Sequence, residues 1–158
     1  MKSEARLSAD RMYRYWLLRV WEGRKPILGV ICANPSKADE TTNDPTVRKV
    51  IGFAMRLGYG GVLIVNVAAF RATRPKDCYD ALEPIGAENT VEWLHAYFLE
   101  HRVERVIAAW GNVGAHFEEY CKAIKSRIPN LWCFGRNGNG SPRHPLMLGY
   151  DTALERFY

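Results

Sequence analysis

Gly29-Val30-Ile31-Cys32-Ala33-Asn34-Pro35-Ser36-Lys37-Ala38-Asp39 is an apolar run of strand length that breaks into a polar, proline-containing turn. In an α/β sheet such a turn is where chemistry collects, because ligands sit outside the carboxyl ends of the strands. The pattern recurs three times. Val62-Leu63-Ile64-Val65 ends in Asn66, Val106-Ile107-Ala108-Ala109 ends in Trp110-Gly111-Asn112, and Leu131-Trp132-Cys133-Phe134 leads through a Gly/Asn/Ser/Pro loop to His144. If the four strands are parallel, all four polar turns share one edge of the sheet.

The segments between these runs have helical periodicity. Val47, Val50, Ile51, Ala54 and Met55 recur at helical spacing, with Asp44 placed as N-cap, Pro45 at the first helical position and Gly58 just past the end. A loop from Lys76 to Gly86 leads to a second helix, with Asn89 as its cap and Val91, Leu94 and Phe98 facing inward. Asn112 opens a third, whose inward face is Val113, Phe117, Tyr120, Cys121 and Ile124. Asp151 caps a short closing helix through Leu154 and Phe157. Ahead of the first core strand, the aromatic run Tyr13 to Trp21 reads as a strand joined to it by the Glu22-Gly23-Arg24-Lys25 turn, an antiparallel hairpin. Residues before Asp10 show no strong pattern. The expected architecture is a three-layer α/β/α sandwich, one domain over residues 1–158, with a central mostly parallel four-stranded sheet and an N-terminal antiparallel edge strand.

Composition narrows the class. No apolar run approaches the ~20 residues of a membrane span, and the charged start Met1-Lys2-Ser3-Glu4-Ala5-Arg6 lacks the apolar stretch of a signal peptide. Cys32, Cys78, Cys121 and Cys133 are scattered without metal-binding spacing, as expected of buried thiols in a cytoplasmic protein. Lysine and arginine total 22 against 17 acidic residues, a formal charge of +5 that suits a phosphate-bearing partner and equally an ordinary basic domain.

Together, Asn34-Pro35-Ser36-Lys37-Ala38-Asp39, Asn43-Asp44-Pro45-Thr46, Trp110-Gly111 and His144-Pro145 resemble an uncharacterised family, domain-of-unknown-function family 1643, which carries no established activity. A more distant resemblance is to the uracil-DNA glycosylase superfamily. Its members carry, in order, a first-strand Asp-Pro or Asn-Pro, a Leu-Leu-Leu-Asn strand, a Trp-Gly turn and a late His-Pro loop. Here these positions read Asn34-Pro35, Leu63-Ile64-Val65-Asn66, Trp110-Gly111 and His144-Pro145. That resemblance implies a uracil-DNA-glycosylase-like fold and a ligand containing a nucleobase, either a modified base in nucleic acid or a free nucleotide. It also implies hydrolysis at an N-glycosidic bond.

The residue chemistry is compatible with this reading. Cleaving a base from its sugar passes through an oxocarbenium-like state, so a site must stabilise the departing anionic base and place a water opposite it. His144 can donate a hydrogen bond to the base, or be an ordinary loop histidine. Asn66 presents a donor and an acceptor to a base edge, or satisfies a turn. Asn34 can orient water but, being an amide, cannot serve as a general base. Asp39 can activate water, or stabilise its own turn. Pro35, Ser36, Trp110, Arg71 and Arg143 complete the expected ligand-binding set, with Phe70 or Tyr59 supplying the stacking aromatic that the first motif lacks. Lys37, Arg71, Arg74, Arg136 and Arg143 fall in the edge loops, where clustering would suit phosphates.

No metal or cofactor is expected on the leading reading. Two alternatives stay open: a non-catalytic nucleic-acid or nucleotide-binding module on the same fold, and a Mg²⁺-dependent phosphoester hydrolase built on Asp39 and Asp44.

Overall fold

The computed structural model describes the backbone of residues 1–158 and the side-chain surroundings of all of them except residues 114 and 115. Seven strands form one sheet: β1 (Lys2–Leu7), β2 (Arg14–Val20), β3 (Ile27–Cys32), β4 (Gly61–Asn66), β5 (Val103–Ala108), β6 (Leu131–Cys133) and β7 (Glu155–Arg156). Four helices accompany them: α1 (Pro45–Arg56), α2 (Pro75–Tyr79), α3 (Val91–Glu100) and α4 (Gly114–Arg127). The strand order is β1-β2-β4-β3-β5-β6-β7. The four core strands β4, β3, β5 and β6 are mutually parallel, and antiparallel strands flank them on both sides.

Alternation along the strands divides the core in two. Leu28, Val30 and Cys32 of β3 join Val62 and Ile64 of β4 and Ile107 of β5 under α1, through Val47, Val50, Ile51 and Ala54. On the opposite face Ile31, Leu63, Val65 and Val106 pack beneath α3 and α4, through Leu94, Phe98, Cys121 and Ile124. Helices thus cover both faces, which is why the core strands read as continuous apolar runs. Among the described residues no helix is long and apolar enough to cross a membrane.

The punctuation of α1 matches its sequence: Asp44 Oδ1 accepts from the Val47 N–H at 2.9 Å, Pro45 opens the helix and Gly58 follows it at φ +86°. Met55, counted on its inward face, is instead exposed.

Several expectations are corrected. The hairpin of β2 with β3 does not form, because β4 lies between them and β2 pairs antiparallel with β4. Gly60 and Gly61 make this insertion possible. A Cβ on Gly60 would lie 2.0 Å from Glu22 O, and one on Gly61 would lie 2.9 Å from Arg19 O. The Gly60 carbonyl also accepts from the Trp21 and Glu22 amides, while its N–H donates to Pro26 O, so it plugs the gap a hairpin turn would fill.

The patternless start is β1, paired with β2, and the expected closing helix after Asp151 is the short strand β7 beside β6. The stretch from Lys76 is not all loop, since α2 occupies Pro75–Tyr79. Asn89 does not cap α3, whose N-cap is Thr90. It is fully buried, and its Nδ2 donates to Asn66 O at 2.9 Å and Val67 O at 3.1 Å, tying down the exit of β4. Asn112 likewise stands outside α4, whose N-cap is Val113.

Candidate functional site

The polar turns after β3, β4 and β5 and the loop after β6 surround a cavity of about 570 Å³ on the α1 side of the carboxyl edge. Its floor follows from register. Cys32 ends β3 directly beside Asn66 at the end of β4, and both side chains alternate toward α1. The start of α1 contributes Asp44, Pro45, Thr46 and Val47, and α2 contributes Pro75 and Tyr79.

Asn66 is the residue that the fold treats most unusually. It is 1 % exposed, and among the described residues its Oδ1 and Nδ2 make no hydrogen bond, although its backbone oxygen is held by Asn89. A buried amide left without partners costs free energy, and here a residue lining the cavity keeps both a donor and an acceptor unspent.

Asn34 also lines the cavity, but its Nδ2 is engaged by Ala72 O at 3.0 Å and Pro35 O at 3.1 Å. The Pro35 carbonyl in turn accepts from the Ala72 N–H at 3.0 Å, so the Asn-Pro turn is latched to the chain leaving β4.

His144 is carried by the long loop after β6, and that loop is fixed to the end of β5. Gly111 N–H donates to Pro142 O at 2.9 Å, while Asn112 Oδ1 accepts from Ser141 Oγ at 2.6 Å and Asn137 Nδ2 at 3.0 Å. Gly111 adopts φ +68°, and a Cβ there would sit 3.4 Å from His144 Cβ, so glycine serves both the turn and the close approach. The Leu146 N–H donates to His144 Nδ1 at 3.2 Å, which on a neutral ring leaves the proton on Nε2. Burial lowers the imidazole pKa, opposed by the charge of Asp44, and so favours that neutral form.

Of the other expected site residues, Ser36 and Trp110 line the cavity and Pro35, Asp39, Phe70, Arg71 and Arg143 do not. Asp39 Oδ1 accepts from the Thr41 and Thr42 amides, each at 2.9 Å, and from Thr41 Oγ1 at 3.1 Å. These bonds, with Arg11 nearby, hold its carboxyl below the usual range, and they are the signature of a turn-forming aspartate. Phe70 packs edge-on against Tyr13, and Tyr59 is buried in the core under α1 with its hydroxyl toward Glu104. Arg71 spends its guanidinium on the carbonyls of Ser36, Arg11 and Lys37.

The cationic rim is correspondingly thinner than its count. Arg74 pairs with Asp77 and Arg136 with Glu155, leaving Lys37 and Arg143 exposed and without ion pairs among the described residues.

Three cavity residues escape the sequence reading. Asp44, expected as a cap or, with Asp39, as a Mg²⁺ ligand but not as part of the nucleobase site, is the one carboxylate among the described lining residues, with one oxygen on the Val47 N–H. Tyr79 supplies the missing aromatic, held by edge contact with Phe117 and a tilted stack on His116. Arg14 is 2 % exposed and reaches the cavity from β2.

Chemically the cavity offers a paired donor and acceptor, a neutral imidazole, a carboxylate, a guanidinium and aromatic surface. Among the described residues no three His, Cys, Asp or Glu side chains converge to hold a metal ion. The two carboxylates of the Mg²⁺ alternative do not share the cavity: Asp44 lines it, and Asp39, whose Oδ1 accepts from the Thr41 and Thr42 amides, does not.

No curated protein and no solved structure matched the chain. The model of a family described as "Protein of unknown function (DUF1643)" matches residues 14–146, from the buried arginine of β2 to the loop after His144, and the chain belongs to that family.

Proposed function

We propose that this cavity binds a nucleobase-containing ligand, a modified base in nucleic acid or a free nucleotide, and hydrolyses its N-glycosidic bond in a uracil-DNA-glycosylase-like arrangement. The observation that carries the reading is the Asn66 carboxamide, buried at a cavity floor with donor and acceptor both unspent. A base edge satisfies both at once, and a cavity of about 570 Å³ accommodates a nucleoside-sized group. Tyr79 offers the ring against which a base packs.

In the reaction, Asp44 takes the place expected of Asp39. Its carboxylate accepts the proton of a water that attacks the anomeric carbon as the carbon–nitrogen bond breaks. The departing base carries the bond's electron pair, and His144 Nε2–H donates to its oxygen while negative charge builds there. Asn34 orients water or ligand without titrating. Four buried free thiols fit a reducing, cytoplasmic setting.

The amide at position 34, where a carboxylate would be the stronger base, favours one second reading: a binding module without turnover. One experiment separates them. Single- and double-stranded oligonucleotides carrying uracil, hydroxymethyluracil or mismatched bases, with free nucleotides alongside, are assayed for binding and base release using wild type, His144→Ala and Asn66→Ala. Base release abolished in both variants supports the hydrolase. Tight binding without release selects the module, and neither binding nor release rejects the nucleobase reading.

A further inference from the structure

Two arginines of β2 are buried, and the contrast between them points to a ligand. Arg19 is 1 % exposed, and its guanidinium is fully occupied: Nε donates to Asn43 Oδ1 at 2.9 Å, Nη1 to Leu18 O at 3.0 Å and Glu4 O at 3.4 Å, and Nη2 to Asp39 O at 2.5 Å and Thr42 O at 3.2 Å. It is a clamp on the loop that precedes α1.

Arg14, at 2 % exposure, makes a single side-chain hydrogen bond among the described residues, from Nη1 to Ala38 O at 3.0 Å. Among the described residues its Nε is buried without any partner, and no carboxylate forms an ion pair with it. Asp44 bears on it only through space, and burial pulls the guanidinium pKa down to about 10.

The backbone puts Arg14 there on purpose. Arg6 of β1 faces Trp16 of β2, whereas the next residue, Leu7, faces Arg14, so Tyr15 is an extra residue on β2. Leu17 points to the α1 side and Trp16 to the other, and regular alternation would send Tyr15 back to the α1 side. Tyr15 instead packs with the α3 and α4 core, and Arg14 swings to the α1 side and into the cavity. A bulge that re-aims one side chain beside a pocket is a recurrent functional device. Because β2 runs next to β4, the guanidinium enters on the flank where Asn66 stands.

We infer that Arg14 is a ligand-binding residue whose free Nε–Nη2 edge takes an anionic oxygen of the molecule read by Asn66, so that the cavity selects anionic over neutral ligands. An isolated buried cation is costly and a two-oxygen anion is the group its planar fork fits best. The shared chemistry is an oxyanion, borne either by a phosphate or by an ionised base. The inference rests on the nucleobase reading for Asn66 but not on turnover.

Calorimetric titration of the full chain with uridine, uridine 5′-monophosphate, inorganic phosphate and 5-fluorouracil tests it, in wild type, Arg14→Gln, Arg14→Lys and Asn66→Ala. The expected result is a preference for the anionic ligand of about tenfold or more in wild type, as a charge-assisted bidentate contact provides. That preference collapses in Arg14→Gln and is weakened in Arg14→Lys, whose compact ammonium keeps the charge without the fork. Competition by phosphate alone assigns the oxyanion to a phosphate; affinity for 5-fluorouracil that climbs as the base ionises, without phosphate competition, assigns it to the base. Equal affinity for neutral and anionic ligands in wild type overturns the inference even if Arg14→Gln does not fold, and so does a preference that survives Arg14→Gln. If Asn66→Ala leaves all affinities unchanged while the anion preference persists, the nucleobase reading fails and the Arg14 site stands.

Discussion

Replacing Asn66 with leucine is expected to stabilise the protein while abolishing ligand binding. The side chain is 1 % exposed and neither polar atom meets a partner among the described residues, and each unsatisfied buried group costs about 1–3 kcal/mol. Leucine is close in size, removes both atoms and brings apolar surface worth about 1.5–3 kcal/mol when fully buried. Because position 66 borders a cavity, water offsets part of the polar cost and part of the leucine stays in contact with open space. A net gain of about 1–2 kcal/mol is therefore the working value, against gross terms roughly four times larger. For a chain of 158 residues, that gain lifts Tm by about 2–8 °C. Thermal unfolding followed by circular dichroism, with denaturant titration to check that the m-value is unchanged, reads it out. Asn66→Ala, which removes the polar atoms without adding bulk, should fall near wild type. If Asn66→Leu instead lowers Tm by about 3 °C or more, the carboxamide is a structural element satisfied within the fold, and the argument that it waits for a ligand is refuted.

Other outcomes are as direct. Asp44→Asn keeps a competent N-cap for α1 and should leave Tm within about 2 °C while abolishing base release, whereas Asp44→Ala also loses about 1 kcal/mol of capping, measured by denaturant unfolding. Asp39→Asn, outside the cavity, should retain ligand affinity within about twofold by calorimetry, as expected when its hydrogen bonds serve only the turn. Asn89→Ala forfeits two buried hydrogen bonds to Asn66 O and Val67 O and should cost about 2–3 kcal/mol, with weakened ligand binding because the exit of β4 loosens. For His144 the native pKa lies below the ordinary 6.5, so the unfolded chain binds more protons in that window. Stability therefore falls as pH drops from about 6.5 toward the lowered native value, and His144→Gln should flatten that slope in pH-dependent unfolding.

Local signals carried most of the frame. Asp44, Pro45 and Gly58 bracket α1 because capping chemistry is decided within one turn. The four core strands were legible because a strand covered on both faces must be apolar throughout. What failed was partner choice. A turn at Glu22 to Lys25 suggests a hairpin, yet the pairing is settled by Gly60 and Gly61, forty residues away, whose missing side chains let β4 slide against the backbone of Arg19 and Glu22. The edge strands β1 and β7 exist through that same long-range pairing and have too little local pattern to announce it. In the site, strand ends found Asn34, Asn66, Trp110 and His144, because a parallel sheet delivers its carboxyl ends to one place. Arg14 was hidden by the bulge at Tyr15, since period-two reading assigns it to the wrong face. Asp39 stays in its turn while Asp44, still the cap of α1, reaches the cavity, because an aspartate beside a motif and an aspartate at a helix start look alike until the loop between them folds.

That placement has one cause, and it links fold to site. Arg19 gathers the carbonyls of Asp39 and Thr42 and the side chain of Asn43, while Asp39 closes its own turn over Thr41 and Thr42. Together they bring Asp44 to the cavity as it caps α1. Structural groups in this segment are saturated with hydrogen bonds, whereas Arg14 and Asn66, equally buried and one strand apart, are not. Arg19→Met should separate the two kinds. Loss of the clamp costs about 3 kcal/mol or more and displaces Asp44, so base release falls further than affinity for a ligand still held by Arg14 and Asn66. Denaturant unfolding and calorimetry on the same preparation measure both, and equal losses of affinity and release would mean that the 39–43 loop does not place Asp44 for catalysis.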